Sequence, residues 1–318
     1  MVTFTQLLQN QYGLPLITNG LLMLLAIITL SYWLLLWFRP SPNLPKIGSR
    51  IAFLWVVLIA FLLAILYSAK ILVLYIWFIA FLALKEFFSM TPTRRADRRV
   101  LFWAYLSLPI QFILILLERR TAFILFAPIH VFLILPMVMV MVGDPRGFLR
   151  AWSTIGWGII TTVYSLGHLA YLLVLPADNL PPTTGAGLFI FLVGLAQLSY
   201  FTQFLFSRLF PDPRLRLKVS QTRNWASLAG SVVVTALVAW PVAPLITPFT
   251  PVQALLMGAI IAASSFVGYI VLSAIKMDLQ IKDRGTMTPG HGGILNRIDN
   301  LIYTAPLFFY LVLAWHYQ

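Results

Sequence analysis

Cysteine is absent from this 318-residue sequence, and charged residues make up only 10% of it. The absence of cysteine excludes disulfide bonds and thiolate metal sites. The four histidines lie far apart in sequence, without the spacing of a metal-binding pair. Residues 1–14 contain no lysine or arginine, so we expect no cleavable signal peptide.

Apolar residues are abundant instead. They make up 60% of the chain, against about 45–50% in soluble domains, and the mean hydropathy is +0.91. A membrane-spanning helix needs roughly 20 apolar residues. The sequence therefore predicts an all-α, polytopic membrane helix bundle of about ten transmembrane helices, of which the third is short enough to be re-entrant. The predicted spans are 15–38, 51–69, 71–84, 101–117, 121–143, 152–176, 186–207, 225–241, 252–275 and 300–317.

Basic residues are concentrated in alternate loops. The loops 39–50, 85–100, 144–151, 208–224 and 276–299 contain 3, 5, 2, 5 and 4 lysines or arginines, which is 19 of the 22 in the chain. Loops rich in lysine and arginine stay on the cytoplasmic side of a membrane. The pattern therefore predicts a cell (inner) membrane protein with these five loops in the cytoplasm and both termini outside. The net charge of +13 fits anionic lipid head groups or an anionic substrate.

One polar stretch stands out, residues 273–300, SAIKMDLQIKDRGTMTPGHGGILNRIDN. If the ninth span continues as a helix to residue 284, Lys276 and Asp283 lie on one face of it. A glycine-rich turn follows, which allows close approach of a ligand to backbone N–H groups, and the next helix is expected to begin near residues 296–300. Asp299 could cap that helix or bind a cation, and His291 could contact phosphate or transfer a proton. The stretch predicts a phosphate-and-metal site; an amphipathic hairpin without a ligand is the alternative.

The same stretch resembles the signature of the CDP-diacylglycerol synthase (phosphatidate cytidylyltransferase) family, S-x-x-K-R-x4-K-D-x-G-x3-P-x-H-G-G-x-x-D-R-x-D. The residues in register are Ser273, Lys276, Lys282, Asp283, Gly285, Pro289, His291, Gly292, Gly293, Arg297 and Asp299. A second family element, N-D-x-x-Q-Y-x-x-G-K-L-F-G followed by K-V-S-P-x-K-T-x-E-G, is similar to residues 199–211 and 218–227. The matching residues there are Gln203, Arg208, Leu209, Phe210, Lys218, Val219 and Ser220, with Arg223 in the place of a lysine.

The resemblance implies a membrane enzyme that joins CTP and phosphatidic acid into CDP-diacylglycerol and pyrophosphate, using Mg²⁺. It covers most of residues 85–318, which we assign to a cytidylyltransferase-like transmembrane domain, and residues 1–84 remain as N-terminal transmembrane helices. Similar family members are often dimers, so the resemblance leaves a homodimer as an open alternative. The implied catalytic residues are Asp283, His291, Lys282 and Arg297. The implied substrate-binding residues are Lys276, Lys218, Ser220, Arg223, Arg208, Gly292 and Gly293, and the implied metal ligands are Asp283 and Asp299.

The chain departs from the family pattern at acidic positions. Tyr200 and Asn296 stand where the family has aspartate, Ala226 stands where it has glutamate, and Tyr269 and Leu272 stand where many members have acids. An amide oxygen is a weaker Mg²⁺ ligand than a carboxylate. Two readings follow: an active cytidylyltransferase with a reduced metal site, or a family member that binds lipid or nucleotide, or scaffolds other lipid enzymes, without turnover. A transporter is a third reading, which an inverted repeat would favour.

Overall fold

A computed structural model describes residues 68–91, 98–141, 143, 146–175, 184–210, 216–217, 220–278 and 293–317, together with Thr29. Helices account for nearly all of these residues. We number them α1 Ala69–Met90, α2 Arg98–Leu116, α3 Arg120–Met141, α4 Phe148–Val174, α5 Thr184–Leu209, α6 Trp225–Ile246, α7 Pro251–Asp278, α8 Leu295–Ile298 and α9 Thr304–His316.

The predicted all-α membrane bundle is confirmed. Seven of the described helices, α1 to α7, are long and apolar enough to cross a membrane, and α9 is a shorter apolar helix of 13 residues. The third predicted span was expected to be short, but α1 has 22 residues and is long enough to span a membrane. The predicted span ended before the charged residue Lys85, because the apolar run ends there. The helix itself continues through Lys85 to Met90. Apart from Thr29, Ser68 and Ala69, the first two predicted spans lie outside the described residues.

Two of the spanning helices contain π-helical turns. They cover His130–Ile134 in α3 and Ile160–Tyr164 in α4, and α4 ends in a 3₁₀ turn at Leu172–Val174. In α3 the π turn lies between Pro128 and Pro136, which cannot donate backbone hydrogen bonds within the helix. The core around α4 is aromatic: His168 is fully buried against the rings of Phe123 and Phe309.

The C-terminal half is built around α5, α6 and α7. Helix α6 packs along both of its neighbours, and α9 packs against α7 and α4. Between α5 and α6 the chain forms a small antiparallel hairpin, β1 Arg216–Leu217 and β2 Ser220–Asn224. This hairpin was not predicted from the sequence. It carries Arg223 to the end of the three-helix unit.

A capping box fixes the join between β2 and α6. The backbone N–H of Ser227 donates to Asn224 Oδ1 over 2.8 Å, and the N–H of Asn224 donates to Ser227 Oγ over 3.2 Å. Asn224 Nδ2 also donates to the carbonyl of Phe210 over 2.6 Å, which ties the hairpin to the end of α5. Asn224 and Ser227, which stand where the family pattern has threonine and glycine, therefore close the helix N-terminus in the usual manner of such caps.

Candidate functional site

The polar end of α7 meets β2 and the turn that enters α8, and three of the predicted site residues, Arg223, Lys276 and Asp299, lie there. Arg223 comes from β2 and is 3% exposed. Its guanidinium carbon lies 4.7 Å from the ring centre of Tyr200 on α5 and 4.8 Å from that of Tyr269 on α7. Contacts of this length are cation–π interactions, which strengthen when water is excluded. Three positions that depart from the family pattern thus form one unit.

Asp299 is the carboxylate next to this unit. It is 3% exposed, and its Oδ1 accepts a 2.6 Å hydrogen bond from the backbone N–H of Asn300. Burial lowers the pKa of the Arg223 guanidinium, while Tyr200, Tyr269 and Asp299 raise it. Arginine remains cationic in proteins at neutral pH. A fixed positive charge therefore lies in the buried part of the site, close to a buried negative one.

Lys276 supplies a second cation, seven residues beyond Tyr269 on the same stripe of α7. Its Nζ donates a short hydrogen bond to Oδ1 of Asn296 on α8. Asn296 is one of the two positions where this chain replaces an aspartate of the family pattern. Each of these positions, Tyr200 and Asn296, is therefore in contact with a basic side chain of the protein itself.

Glu86 joins the site from a distant part of the chain. This residue lies near the end of α1, is 3% exposed, and accepts a 3.3 Å hydrogen bond at Oε2 from the backbone N–H of Leu295. Nothing in local spacing could have paired it with a residue 209 positions away.

The remaining predicted residues lie in several places. Arg297 lies half-buried on α8, and Gly293 is buried at its entrance. Arg208 is exposed at the end of α5. Its guanidinium carbon lies 4.3 Å from the ring centre of Phe204 on the same helix. Ser220 belongs to the backbone of β2. The predicted residues Lys218, Lys282, Asp283, His291 and Gly292 lie outside the described residues.

The start of the last helix differs from the prediction. A single short helix, α8, covers Leu295–Ile298, turns follow over 299–303, and α9 begins at Thr304 with Tyr303 as its N-cap residue. Asp299 therefore does not cap α9. The turn instead buries the Asp299 carboxylate beside Arg223.

The described donor set does not make a magnesium site by itself. The Asn296 oxygen is occupied by the Lys276 ammonium, and Asp299 interacts with the Arg223 guanidinium. Within the described part of the chain there is no group of three His, Cys, Asp or Glu side chains that could hold a metal ion. Cations beside each candidate oxygen oppose a dication through charge repulsion. The predicted ligand Asp283 lies outside the described residues, so magnesium binding stays a prediction.

Gly268 allows the Asp299 turn to lie against α7. A Cβ atom at residue 268 would overlap the carbonyl oxygen of Asp299, a backbone atom that cannot rotate away. We expect Gly268→Ala to lower the free energy of unfolding by about 2 kcal/mol, as overpacking does. Thermal unfolding in detergent measures the change. Gly194→Ala is the matched control, because a Cβ there meets no atom within 4 Å; equal unfolding midpoints in the two variants would contradict the close packing.

The fold and the site define an integral membrane protein with fixed cations at one end of its helices. The model of the cytidylyltransferase family matches residues 48–315, so the chain belongs to that family. It is 38% identical over 289 residues to the uncharacterized protein YnbB of Escherichia coli, an alignment that covers 91% of this chain and 95% of that protein.

Relatives with a named activity have a lower identity to this chain or match a shorter part of it. The phosphatidate cytidylyltransferase of Brucella abortus is 27% identical over 238 residues, covering 70% of this chain and 77% of that protein. The phosphatidate cytidylyltransferase of Synechocystis is 40% identical over 85 residues, covering 27% of this chain and 28% of that protein. The predicted family membership is confirmed.

Proposed function

We propose that this protein transfers CMP from CTP to a lipid phosphate, phosphatidic acid or a close relative, and releases pyrophosphate. The observation that carries the proposal is the pair of fixed cations, Arg223 and Lys276, at the polar end of α7 beside the signature turn. The family membership and the names of the relatives support the same reaction class. A membrane-embedded basic site suits a substrate that has acyl chains in the bilayer and a charged head group at its surface.

In this reaction an oxygen of the lipid phosphate attacks the α-phosphorus of CTP. A new P–O bond forms, the bond between the α-phosphorus and the oxygen bridging to the β-phosphate breaks, and pyrophosphate leaves with the electron pair. Negative charge is redistributed over phosphate oxygens, so catalysis consists mainly of positioning and of charge neutralisation. Arg223 is held against two rings and needs little reorganisation to receive such charge.

The proposal includes a side of the membrane. CTP is a cytoplasmic nucleotide, and the basic loop 276–299 leads directly into the site. We therefore place the site at the cytoplasmic face of the inner membrane, with both termini outside. Mg²⁺ bound by Asp283 together with substrate phosphates is expected to assist, because one or two carboxylates suffice for this ion when substrate phosphates complete its coordination shell.

Binding without turnover is the second candidate function. It is favoured by the contacts at Tyr200 and Asn296, where protein cations lie against residues that replace acids. Such a site keeps its affinity for anionic phosphates but has fewer ligands for a metal. On this reading the protein holds CTP or a lipid phosphate and forms no product.

The deciding experiment follows transfer of labelled CMP from CTP into lipid by the purified protein with Mg²⁺ and several lipid phosphates. We expect incorporation by the parent chain, and a fall of at least about 100-fold in Lys276→Met and in Asp283→Asn, as when one charge-stabilising group is removed from an active site. Arg150→Met, an exposed arginine at the start of α4, is the control for loss of a positive charge. CTP binding without incorporation on any lipid phosphate would establish the second function instead.

A further inference from the structure

Glu86 is a buried carboxylate whose described hydrogen-bond partner is a backbone N–H. It is 3% exposed, and among the described residues its carboxylate has one hydrogen bond, from the N–H of Leu295. Burying a carboxylate is costly unless donors compensate for the lost water. A glutamate kept at this place therefore has a role beyond filling space, and its partner lies in the turn that leads to Arg297 and Asp299.

Gly293 makes the contact closer than a hydrogen bond alone requires. A Cβ atom at residue 293 would overlap Oε1 and Cδ of Glu86, so only glycine leaves room for the carboxylate. The backbone of the turn thus lies directly on the Glu86 side chain, and the next donor, Leu295, is bonded to it. Both sides of the contact are specific: one needs a carboxylate-sized acceptor and the other needs a residue without a side chain.

We propose that Glu86 is a positioning residue of the candidate site, which holds the turn at Gly293–Leu295 and thereby sets where Arg297 and Asp299 lie. The inference rests on the proposed function for its catalytic consequence but not for the contact itself. Glu86 acts through the turn and touches no reacting atom. It also connects α1, from the first part of the described chain, to a signature near the other end.

The contact can be measured without any substrate, because the chain has no cysteine. Ile294→Cys places a single thiol in the turn, at a half-buried position packed against the core. We expect a maleimide to label this thiol at least about fivefold faster when Glu86→Ala is added, since loss of the hydrogen bond favours local opening. Glu86→Gln keeps an acceptor oxygen and should label within about twofold of the parent rate.

The control replaces another buried polar residue that links two helices. Gln111 is fully buried and donates to the carbonyl of Phe123, between α2 and α3. Gln111→Ala should leave labelling at Ile294→Cys unchanged. Equal labelling in Glu86→Ala and in the parent would overturn the proposal. If Glu86→Ala does not fold, Gly293→Ala is labelled instead, since a Cβ atom there would overlap Oε1 and Cδ of Glu86; faster labelling of Ile294→Cys supports the contact, and labelling at the parent rate overturns it.

The catalytic consequence is read from the kinetics of CMP transfer. A misplaced site lowers turnover more than ground-state binding, so Glu86→Ala should reduce kcat by about 10- to 100-fold and change KM for CTP by less than about threefold. Glu86→Gln should restore kcat to within about fivefold, which loss of general stability would not predict. Full kcat in a fast-labelling Glu86→Ala would overturn positioning. An inactive parent chain would instead refute the proposed function, while labelling still decides the contact.

Discussion

Gly293→Ala is expected to lower CMP transfer by at least about 100-fold, because it breaks the contact between Glu86 and the turn that carries Arg297 and Asp299. The new methyl group would occupy the place of the Glu86 carboxylate, and both sides of this contact are buried. Either the carboxylate leaves its hydrogen bond to Leu295 or the turn moves away from α1. Activity per folded protein measures the effect, with the folded fraction taken from size-exclusion chromatography.

A second substitution tests the cause of that loss. Glu86→Ala removes the atoms that the alanine at 293 would strike, so the two substitutions should be strongly non-additive. We expect the double variant to be no worse than Glu86→Ala alone, although the lost hydrogen bond is not restored. Gly194→Ala controls for the general cost of losing a glycine, since it faces open space on α5. Additive losses would mean that Gly293 acts through backbone freedom and not through its contact with Glu86.

The spans could be predicted from the sequence because hydropathy and length decide them locally. Helices α2 to α7 lie where the apolar blocks predicted them, and their ends differ by a few residues. The length of the apolar run underestimated the helix at Lys85. A lysine can lie within the end of a spanning helix, because its long side chain reaches the membrane interface. The hairpin at 216–224 was missed because two short strands give almost no periodic signal.

The site could be predicted only in part, because its contacts join residues that are far apart in the chain. The match to the family signature assigned Lys276, Arg297 and Asp299 to one site from the sequence alone. It could not reveal that Tyr200, Arg223 and Tyr269, each noted as a departure from the pattern, contact one another. The Glu86 contact was likewise invisible, since a hydrogen bond to a backbone N–H leaves no sequence pattern at its donor.

The contacts of Arg223 change the meaning of the substituted acids. In the family pattern a lysine and an aspartate stand at positions 223 and 200. Here an arginine and a tyrosine stand there, and Tyr269 contributes a second ring. A guanidinium is flat and stacks on aromatic faces, which an ammonium does less well. The arginine at 223 and the rings at 200 and 269 therefore match one another in this chain.

Arg223→Met is therefore expected to lower CMP transfer by about 100- to 1,000-fold, as removal of a preorganised charge at a reacting phosphate does. It also leaves the Asp299 carboxylate buried beside an apolar side chain, which should cost about 3 kcal/mol of stability. Activity per folded protein and the thermal midpoint measure the two effects separately. Arg150→Met serves again as the control for charge. A variant with full activity would remove Arg223 from the site.

The substitution Arg223→Lys tests more sharply whether Arg223 depends on Tyr200 and Tyr269. Arg223→Lys keeps the charge but loses the flat group, so with Tyr200 and Tyr269 in place it should retain less than about a tenth of the activity. Adding Tyr200→Asp to it recreates the combination of the family pattern and offers the ammonium a carboxylate. We expect the double variant to exceed both single variants, because each single change leaves one partner unmatched. If Tyr200→Asp helps equally with Arg223 intact, the aspartate acts as a missing metal ligand, and a steeper dependence of activity on Mg²⁺ concentration should accompany it.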